Sequence, residues 1–308
     1  MGRPFLVSGG NMIIVMSRRA AEADIAGVVA FIRSRGLREH ISHGDERTVI
    51  GAIGDDRVLS VREVQTLPEV EKAVRILDTW KTVSRENRAE DSRVAAKGVA
   101  FGGGETVRIA AEPSVWRNAD AVFLDPFFTS ANLYDTSSAD ERRGRCRRLA
   151  EQTASAHGAG KPVLVRVRNV RHVEAALNAG ADILYLGGGL MSDLAVLNEA
   201  GSLNIPLVLC KDKHHSAEDW LNAAEYVVSR GNRHLILGES GVLSHTKDHP
   251  YRLDVESIVK VRQISHLPVI ANITGLWNRD MPQEILYGLA KAAGACGIVG
   301  TCFEKSGG

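Results

Sequence analysis

The chain has 308 residues, 44% hydrophobic and 24% charged, which is enough apolar content for one large α/β domain with a small companion and excludes disorder. Lys and Arg number 38 against 37 Asp and Glu, so no overall field recruits nucleic acid or an anionic membrane, and any charged ligand has to be met by local groups. No apolar stretch approaches the roughly 18 to 20 residues of a membrane span, and MGRPFLVSGGNMIIVM lacks the basic start and long apolar centre of a secretion signal, which points to a cytoplasmic protein.

Residues 1–80 predict a small α+β unit. MIIVM reads as a strand, and AAEADIAGVVAFIRSRG as a helix with Ile25, Val28, Val29, Phe31 and Ile32 at helical spacing and a stop at Gly36. EHISHG and RTVIGAIG read as strands, and VREVQTLPEVEKAVRIL as a second helix and a last strand, which together make a two-helix, four-strand split βαβ pattern. KTVSRENRAEDSRVAAK, 81–97, is polar and aperiodic and reads as a linker; FGGGE, 101–105, reads as the turn of a hairpin.

From residue 98 to 308 strands and helices alternate. Strands are expected at 107–111, 121–125, 162–166, 182–186, 206–210, 234–238, 268–272 and 297–300, most followed by an amphipathic helix such as VRHVEAALNAG or SAEDWLNAAEYVVSRG. Eight apolar runs in this order argue for a (β/α)8 TIM barrel, with a doubly wound open sheet as the competing arrangement. The nine residues EPSVWRNAD between the first two strands are too few for a crossover helix, and FEKSGG follows the eighth strand directly, so the first and last outer helices are expected to be missing. In a closed barrel that leaves one apolar flank, to be covered by the small domain, by the tail, by a second copy in a homo-oligomer, or by a partner protein. The basic helix DERRGRCRRL reads as a solvated face, and a partner-docking face is its alternative.

Cys146, Cys210, Cys296 and Cys302 lie far apart with no CxxC pair, which excludes a disulfide framework or a zinc ribbon and leaves reduced, packed thiols as the simplest account. VLCKDKHHSAEDW, 208–220, places a thiol, two lysines and two imidazoles directly after a buried strand. Metal site, amine nucleophile, anion cradle and plain polar loop are all open readings of it.

HISHGDERTVIGAIGDD (40–56), TWKTVSRE (79–86), ADILYLGGGLMSDLAVLNEAGSLNIPLVL (181–209), EDWLNAAEYVVSRGNRHLILGESG (218–241) and SHLPVIAN (265–272) carry a resemblance that spans nearly the whole chain. The sequence resembles the type I beta DAHP synthases, which join phosphoenolpyruvate to erythrose 4-phosphate in aromatic amino-acid biosynthesis. The resemblance implies a ferredoxin-like regulatory-type domain ahead of a (β/α)8 barrel. It also implies a divalent metal and several phosphate-gripping basic residues, and here the sequence departs from it. Gly-Pro-Cys-Ser-Val-Glu of the family is AEPSVW (111–116), without the metal-binding cysteine. Lys-Pro-Arg-Thr-Ser is DPFFT, placing Asp125 and Phe127 where the lysine and arginine stood; Ile-Gly-Ala-Arg-Asn is LGGGL, with Gly189 in the arginine place. Leu-Leu-Lys-Arg-Gly becomes LCKD, with Cys210 for the lysine and Lys211 for an arginine, unless a one-residue deletion shifts the register. Cys-Glu-Arg-Gly-Ile-Arg becomes GESGVL, keeping Glu239 but putting Ser240 and Leu243 for the two arginines. The metal-binding histidine is Gly275, the metal-binding glutamate is Thr301, and the segment of the metal-binding aspartate lies beyond the chain. Losing one charged contact to a phosphate costs on the order of 2 to 5 kcal/mol, so loss of the set implies no DAHP synthase activity.

Barrel active sites lie at the C-terminal strand ends. That rim would carry Asp125, Phe127, Arg166, Arg168, Cys210, Lys211, Lys213, His214, His215, Glu239, Ser240, His245, His249, Asn272, Thr274 and Cys302. Cys210, Lys211 and Glu239 are the candidate catalytic groups; Asp125, Phe127, Arg166, Lys213, His214, His215, Ser240, His245, Asn272 and Thr274 are the candidate binding groups; no metal or cofactor is expected. Cys210 reads either as a thiolate nucleophile or as a buried thiol. Lys211 or Lys213 reads as a Schiff-base amine or a solvated loop lysine. Glu239 reads as a general acid/base or as a brace for its neighbours. A new metal site from Cys210, His214 or His215, Glu239 and His245 or His249 matches no recognised spacing. Phe127 and Phe128 favour a less charged, aromatic or carbon-rich small molecule. The expectation is an enzyme of specialised or aromatic-related metabolism; a catalytically silent regulator or scaffold is its alternative.

Overall fold

The structure, a computed structural model, describes residues 11–44, 47–54, 58–76, 80–128, 139–245 and 249–301. It divides into two compact units, Met1–Thr79 and Trp80–Gly308.

In the first unit, β1 (Asn11–Met16), α1 (Glu22–Ser34), β2 (Arg38–His43), β3 (Thr48–Ile53), α2 (Val61–Gln65) and β4 (Val70–Ile76) follow the expected order. The sheet runs β2-β3-β1-β4, each neighbour antiparallel. Alternation along β1 buries Met12, Ile14 and Met16 completely against Ile25, Val28, Val29 and Ile32 of α1. The helix begins where the Asp24 carboxylate accepts the Ala21 N–H at 2.9 Å, and it stops at Gly36, whose φ of 76° suits glycine.

The second unit opens with a short hairpin, β5 (Val94–Ala96) and β6 (Val99–Phe101). The barrel strands are β7 (Val107–Ala110), β8 (Ala121–Leu124), β9 (Val163–Val167), β10 (Ile183–Leu186), β11 (Leu207–Cys210) and β12 (Leu235–Glu239). A hairpin of β13 (Val242–Leu243) and β14 (Tyr251–Arg252) precedes β15 (Val269–Asn272) and β16 (Gly297–Gly300). The eight long strands close into one parallel barrel, with β16 paired to β7. Outside it run α3 (Ala139–Gly158), α4 (Arg171–Asn178), α5 (Leu194–Ser202), α6 (Ala217–Ser229), α7 (Val255–Ile264) and α8 (Gln283–Ala292). Because both faces of each strand are covered, four- and five-residue strands are buried throughout, which is why they read as continuous apolar runs. Ile109, Phe123, Leu164, Tyr185, Val208, Ile236, Ile270 and Val299 fill the interior, and their sequence neighbours pack outward on the helices.

Some expectations change. Residues 81–97, read as a linker, instead begin with a strap against the barrel: Val83 is fully buried, and the N–H groups of Thr82 and Val83 donate to the two Glu225 carboxylate oxygens at 2.9 and 3.0 Å. His266 takes Ser92 at 2.8 Å and the Thr82 carbonyl at 2.9 Å on its two ring nitrogens. Asp91 is bonded by Arg262 at 2.8 Å and Arg85 at 2.5 Å, and the Arg262 bond foremost holds its carboxyl below the usual range against its partial burial. Side-chain-to-backbone bonds of this kind leave no hydrophobic period to read.

The hairpin turn is not FGGGE. It is Lys97–Gly98, with φ of 41° and 82°, and the glycines follow it. Gly102 lies at φ +100°, and a Cβ there would come within 2.3 Å of the Ser92 carbonyl oxygen. Gly102→Ala is expected to lower stability by about 1 to 3 kcal/mol, seen as a lower thermal midpoint. Gly104→Ala, with nothing within 4 Å of the added carbon, should be silent.

On the flank without a first outer helix, the chain itself covers part of β7. The 3₁₀ helix Pro113–Asn118 stands in for that helix. Of the outward residues of β7, Ala110 is fully buried with Val115, Trp116 and Tyr287 around it, and Arg108 pairs with Asp120 at 3.0 Å. The apolar run VRIAA turns its large side chains, Val107 and Ile109, inward. The residues after Thr301 lie outside those described. Cys146, expected to be packed, is exposed on the solvated face of α3.

Candidate functional site at the barrel mouth

Inside the barrel, above Ile109 and Phe101, the Phe123 and Tyr185 rings meet edge to face, centroids 5.1 Å apart at 76°. Tyr185 donates its hydroxyl to Cys210 Sγ at 3.4 Å, and Cys210 Sγ lies 3.0 Å from Ser240 Oγ. Asn272 also reaches the Tyr185 hydroxyl. Cys210 is fully buried, and burial pushes its thiol up while the Ser240 and Tyr185 bonds oppose the shift. A thiol raised by burial and enclosed by two hydroxyls has the surroundings of a packed group rather than those of an activated thiolate.

The Arg166 guanidinium sits over the Tyr185 ring at 5.8 Å. β9 places it there because its alternate residues Val163, Val165 and Val167 face outward. Asp125 accepts both Nε (3.0 Å) and Nη2 (2.5 Å) of Arg168, and Nη1 of Arg166 stands 3.5 Å from the same carboxylate. One carboxylate thus faces two guanidiniums, and the Arg166 Nε–H is buried with no hydrogen-bond partner among the described residues. Lys213 adds a third cation: its Nζ rests 3.2 Å from the centroid of the Tyr251 ring. Burial first, and the charge of Arg166 second, lower its pKa.

Lys211 goes the other way. Its side chain is fully buried outside the barrel lumen, and Nζ reaches Asp254 Oδ2 at 3.0 Å and the carbonyls of His215 and Asp212 at 3.3 and 3.4 Å. Asp254 caps α7, accepting the Ser257 N–H at 3.0 Å and hydroxyl at 2.7 Å. Burial works to raise its carboxyl, and the Ser257 and Lys211 bonds overcome that and hold it low. Lys211 ties the β11 loop to that cap.

Glu239 lies beside this pair. One carboxylate oxygen accepts the Gly241 N–H, and the other is buried with no hydrogen-bond partner among the described residues. Burial raises its pKa to about 7 against the pull of Gly241 and Lys211. A carboxyl with a folded pKa above its unfolded value loses stability as pH rises: its contribution is complete below about 4.5 and gone above about 7. Glu239→Gln is therefore expected to flatten the pH dependence of urea unfolding across that window and to add up to about 3 kcal/mol at alkaline pH.

The other candidates scatter. Phe127 is buried in the outer core, stacked on His172 at 4.0 Å, and Phe128 is the exposed ring, with Arg168 4.9 Å above it. His214 and His245 are exposed, and His215 lies between Asp212 (3.4 Å) and Ser192 (3.5 Å). Thr274 donates its N–H and hydroxyl to the Asn272 side chain at 3.2 and 2.7 Å, a turn that fixes Asn272. Gly188 is tight, a Cβ there falling 2.6 Å from the Lys211 carbonyl oxygen, whereas Gly189 has open space. Sequence reasoning missed Tyr185, Tyr251 and Asp254. The helix-start pattern Asp254–Ser257 could have marked the last, and the inward phase of ILYL the first.

The positions at which the resemblance expects metal ligands do not form a donor set. Pro113 and Gly275 have no donor side chain, and the Thr301 hydroxyl is held by Gln283 at 3.0 and 3.2 Å. Among the described residues, no three His, Cys, Asp or Glu side chains converge. The alternative cluster of Cys210, Glu239 and the loop histidines is likewise split between the lumen, the outer layer and solvent.

Comparison with known proteins bears on what this mouth descends from. Residues 12–78 match the DAHP synthase ferredoxin-like domain, and residues 143–306 match the DAHP synthetase I family. A phospho-2-dehydro-3-deoxyheptonate aldolase of Thermotoga maritima is 31% identical over 307 residues, covering 95% of this chain and 88% of the relative. A crystal structure of the Thermotoga maritima enzyme superposes with a TM-score of 0.68 at 28% identity, over 94% of this chain and 87% of that one. A truncated 3-deoxy-D-arabino-heptulosonate 7-phosphate synthase from the same organism shares the fold at 0.62 and 23% identity, over 72% and 84%.

Proposed function

The chain belongs to the DAHP synthetase I family, and from that premise we propose that it is a repurposed, metal-independent member whose barrel mouth works on a small unphosphorylated carboxylate, in specialised or aromatic-related metabolism. The observation that carries the reading is the Arg166 guanidinium, whose buried Nε–H has no partner among the described residues, in the field of Lys213. A guanidinium with an unfilled Nε–H, its Nη1 facing Asp125 only at 3.5 Å, near an ammonium suits a single carboxylate. Two phosphorylated substrates would ask for a larger set of cations, and Phe127, Gly189, Cys210, Ser240 and Leu243 occupy the basic positions of the family motifs. Among the described residues there is no donor set for the metal that polarises the aldehyde in the family's condensation, and the chemistry proposed for this mouth uses none.

The test is an assay of the purified chain with phosphoenolpyruvate and erythrose 4-phosphate under added divalent cations, run beside a titration with pyruvate. No phosphate release together with saturable pyruvate binding is expected. Metal-dependent release at the rate of a working synthase would overturn the reading.

A second reading, a silent regulatory subunit, has its own support: Cys210 is enclosed and Lys211 is fully bonded, so two of the three expected catalytic groups are occupied. Co-purification with an active synthase would favour it.

A further inference from the structure

We propose that Lys213 is an amine nucleophile that forms an imine with the carbonyl carbon of an α-oxo acid whose carboxylate is held by Arg166. The inference rests on the carboxylate reading above and names its substrate class and its bond-forming atom.

The two lysines of the β11 loop divide the work. Lys211 is enclosed and has three oxygen acceptors, so its lone pair is not available. Lys213 is half-buried, and among the described residues its Nζ has no oxygen acceptor; its contact is the face of Tyr251. That placement is built rather than incidental. The Leu243 N–H donates to the Lys213 carbonyl at 3.3 Å, and the pairing of Leu243 with Tyr251 across the β13–β14 hairpin sets the ring under the amine. An aromatic face favours the ammonium, but it also displaces water from it. Burial and the neighbouring guanidinium outweigh the attraction, so the neutral amine is more accessible than at a solvated lysine.

Gly187 and Gly188 bring the two cations to one strand end: a Cβ on Gly187 would fall 3.2 Å from Arg166 Nε, and one on Gly188 2.9 Å from the Cα of Asp212, the residue before Lys213. A guanidinium and an amine at one strand end match a molecule with a carboxylate next to a carbonyl. A simple carboxylate uses only the first, and a simple ketone only the second. In the step itself the ammonium gives one proton to water at the open mouth, and its lone pair adds to the carbonyl carbon. The C–N bond forms as the C=O π pair moves to oxygen, which takes up a proton. The carbinolammonium nitrogen releases its second proton, the hydroxyl takes one up and leaves as water, and a protonated imine remains. Ammonium plus carbonyl gives iminium plus water, with no change of oxidation state. Ser240 and Asn272, which line the same end of the barrel, are the hydroxyl and amide available to orient the oxygen.

The experiment is reductive trapping. The full chain is incubated with pyruvate, or with phenylpyruvate as the aromatic member, and borohydride, then measured by intact mass and peptide mapping. A single adduct per chain on Lys213 is expected, with none from lactate. Lys213→Arg, which keeps the charge, should remove it. Excess lactate should slow trapping in the wild type, and Arg166→Met should slow trapping roughly thirtyfold or more and make it insensitive to lactate. Labelling spread over exposed lysines, or unchanged in Lys213→Arg, overturns the inference. If no adduct forms while pyruvate still binds in an Arg166-dependent way, the imine falls and the carboxylate reading stands; if binding is also absent, both fall. Matching thermal melts of the variants exclude misfolding as the cause.

Discussion

Arg166→Met is expected to weaken pyruvate binding roughly thirtyfold or more, which corresponds to the loss of about 2 kcal/mol or more at a buried charged contact. Methionine keeps most of the side-chain volume over Tyr185, so the change tests charge and not packing. The effect should be large because of where the guanidinium sits. Its Nε–H is already removed from water and has no partner among the described residues, so a carboxylate supplies a bond rather than replacing one. Asp125 competes only at 3.5 Å, since its close bonds go to Arg168. Arg168→Met should therefore act in a different manner: it frees Asp125 to pair with Arg166 and weakens binding by neutralising it. Isothermal titration of both variants and of the double mutant checks this. Full additivity of the two losses would show that Asp125 does not mediate between them.

The largest effect on stability is expected at Asp254. Asp254→Ala should cost about 3 to 5 kcal/mol, measured as a fall in the urea midpoint at unchanged slope. The substitution leaves the fully buried Lys211 ammonium without its carboxylate, with only two carbonyls at 3.3 and 3.4 Å. It also removes the cap of α7, worth about 1 kcal/mol alone. The double variant Lys211→Met with Asp254→Ser, which restores a cap and deletes both charges, should recover most of the loss. If Asp254→Ala proves as mild as an exposed surface change, Lys211 is not the buried, dependent cation described here.

Most of the fold was legible, and the reason differs between its parts. Barrel strands bury both faces, so LVLC and VIAN announce themselves without alternation, and their ends fell within about one residue of the expected bounds. The strap at 80–93 was illegible because its anchors are bonds to single side chains such as Glu225 and His266, more than a hundred positions away. At the mouth, sequence identified the right loop but not the direction of each side chain. Adjacent residues at a strand end face opposite sides, so Cys210, inward, and Lys211, outward, could not both reach a ligand. Phe127 and Phe128 show the same limit: the buried ring is the one that sits in the family's arginine place, and the exposed one is its neighbour. Tyr251 had no local signal at all, because its role depends on a hairpin meeting a loop almost forty residues upstream.

The pairing of β16 with β7 also sets a schedule. Residues 107–110 find their partners only at 297–300, so the last seam joins segments separated by most of the unit. A contact of that sequence separation carries a high ordering cost before any reward, and it comes late. During synthesis the edge of β7 stays unpaired on that side until nearly the whole barrel has left the ribosome. An open parallel edge is prone to wrong pairings. The outward Arg108, held by Asp120, puts a charge on that edge, a guard against intermolecular pairing until the ring closes.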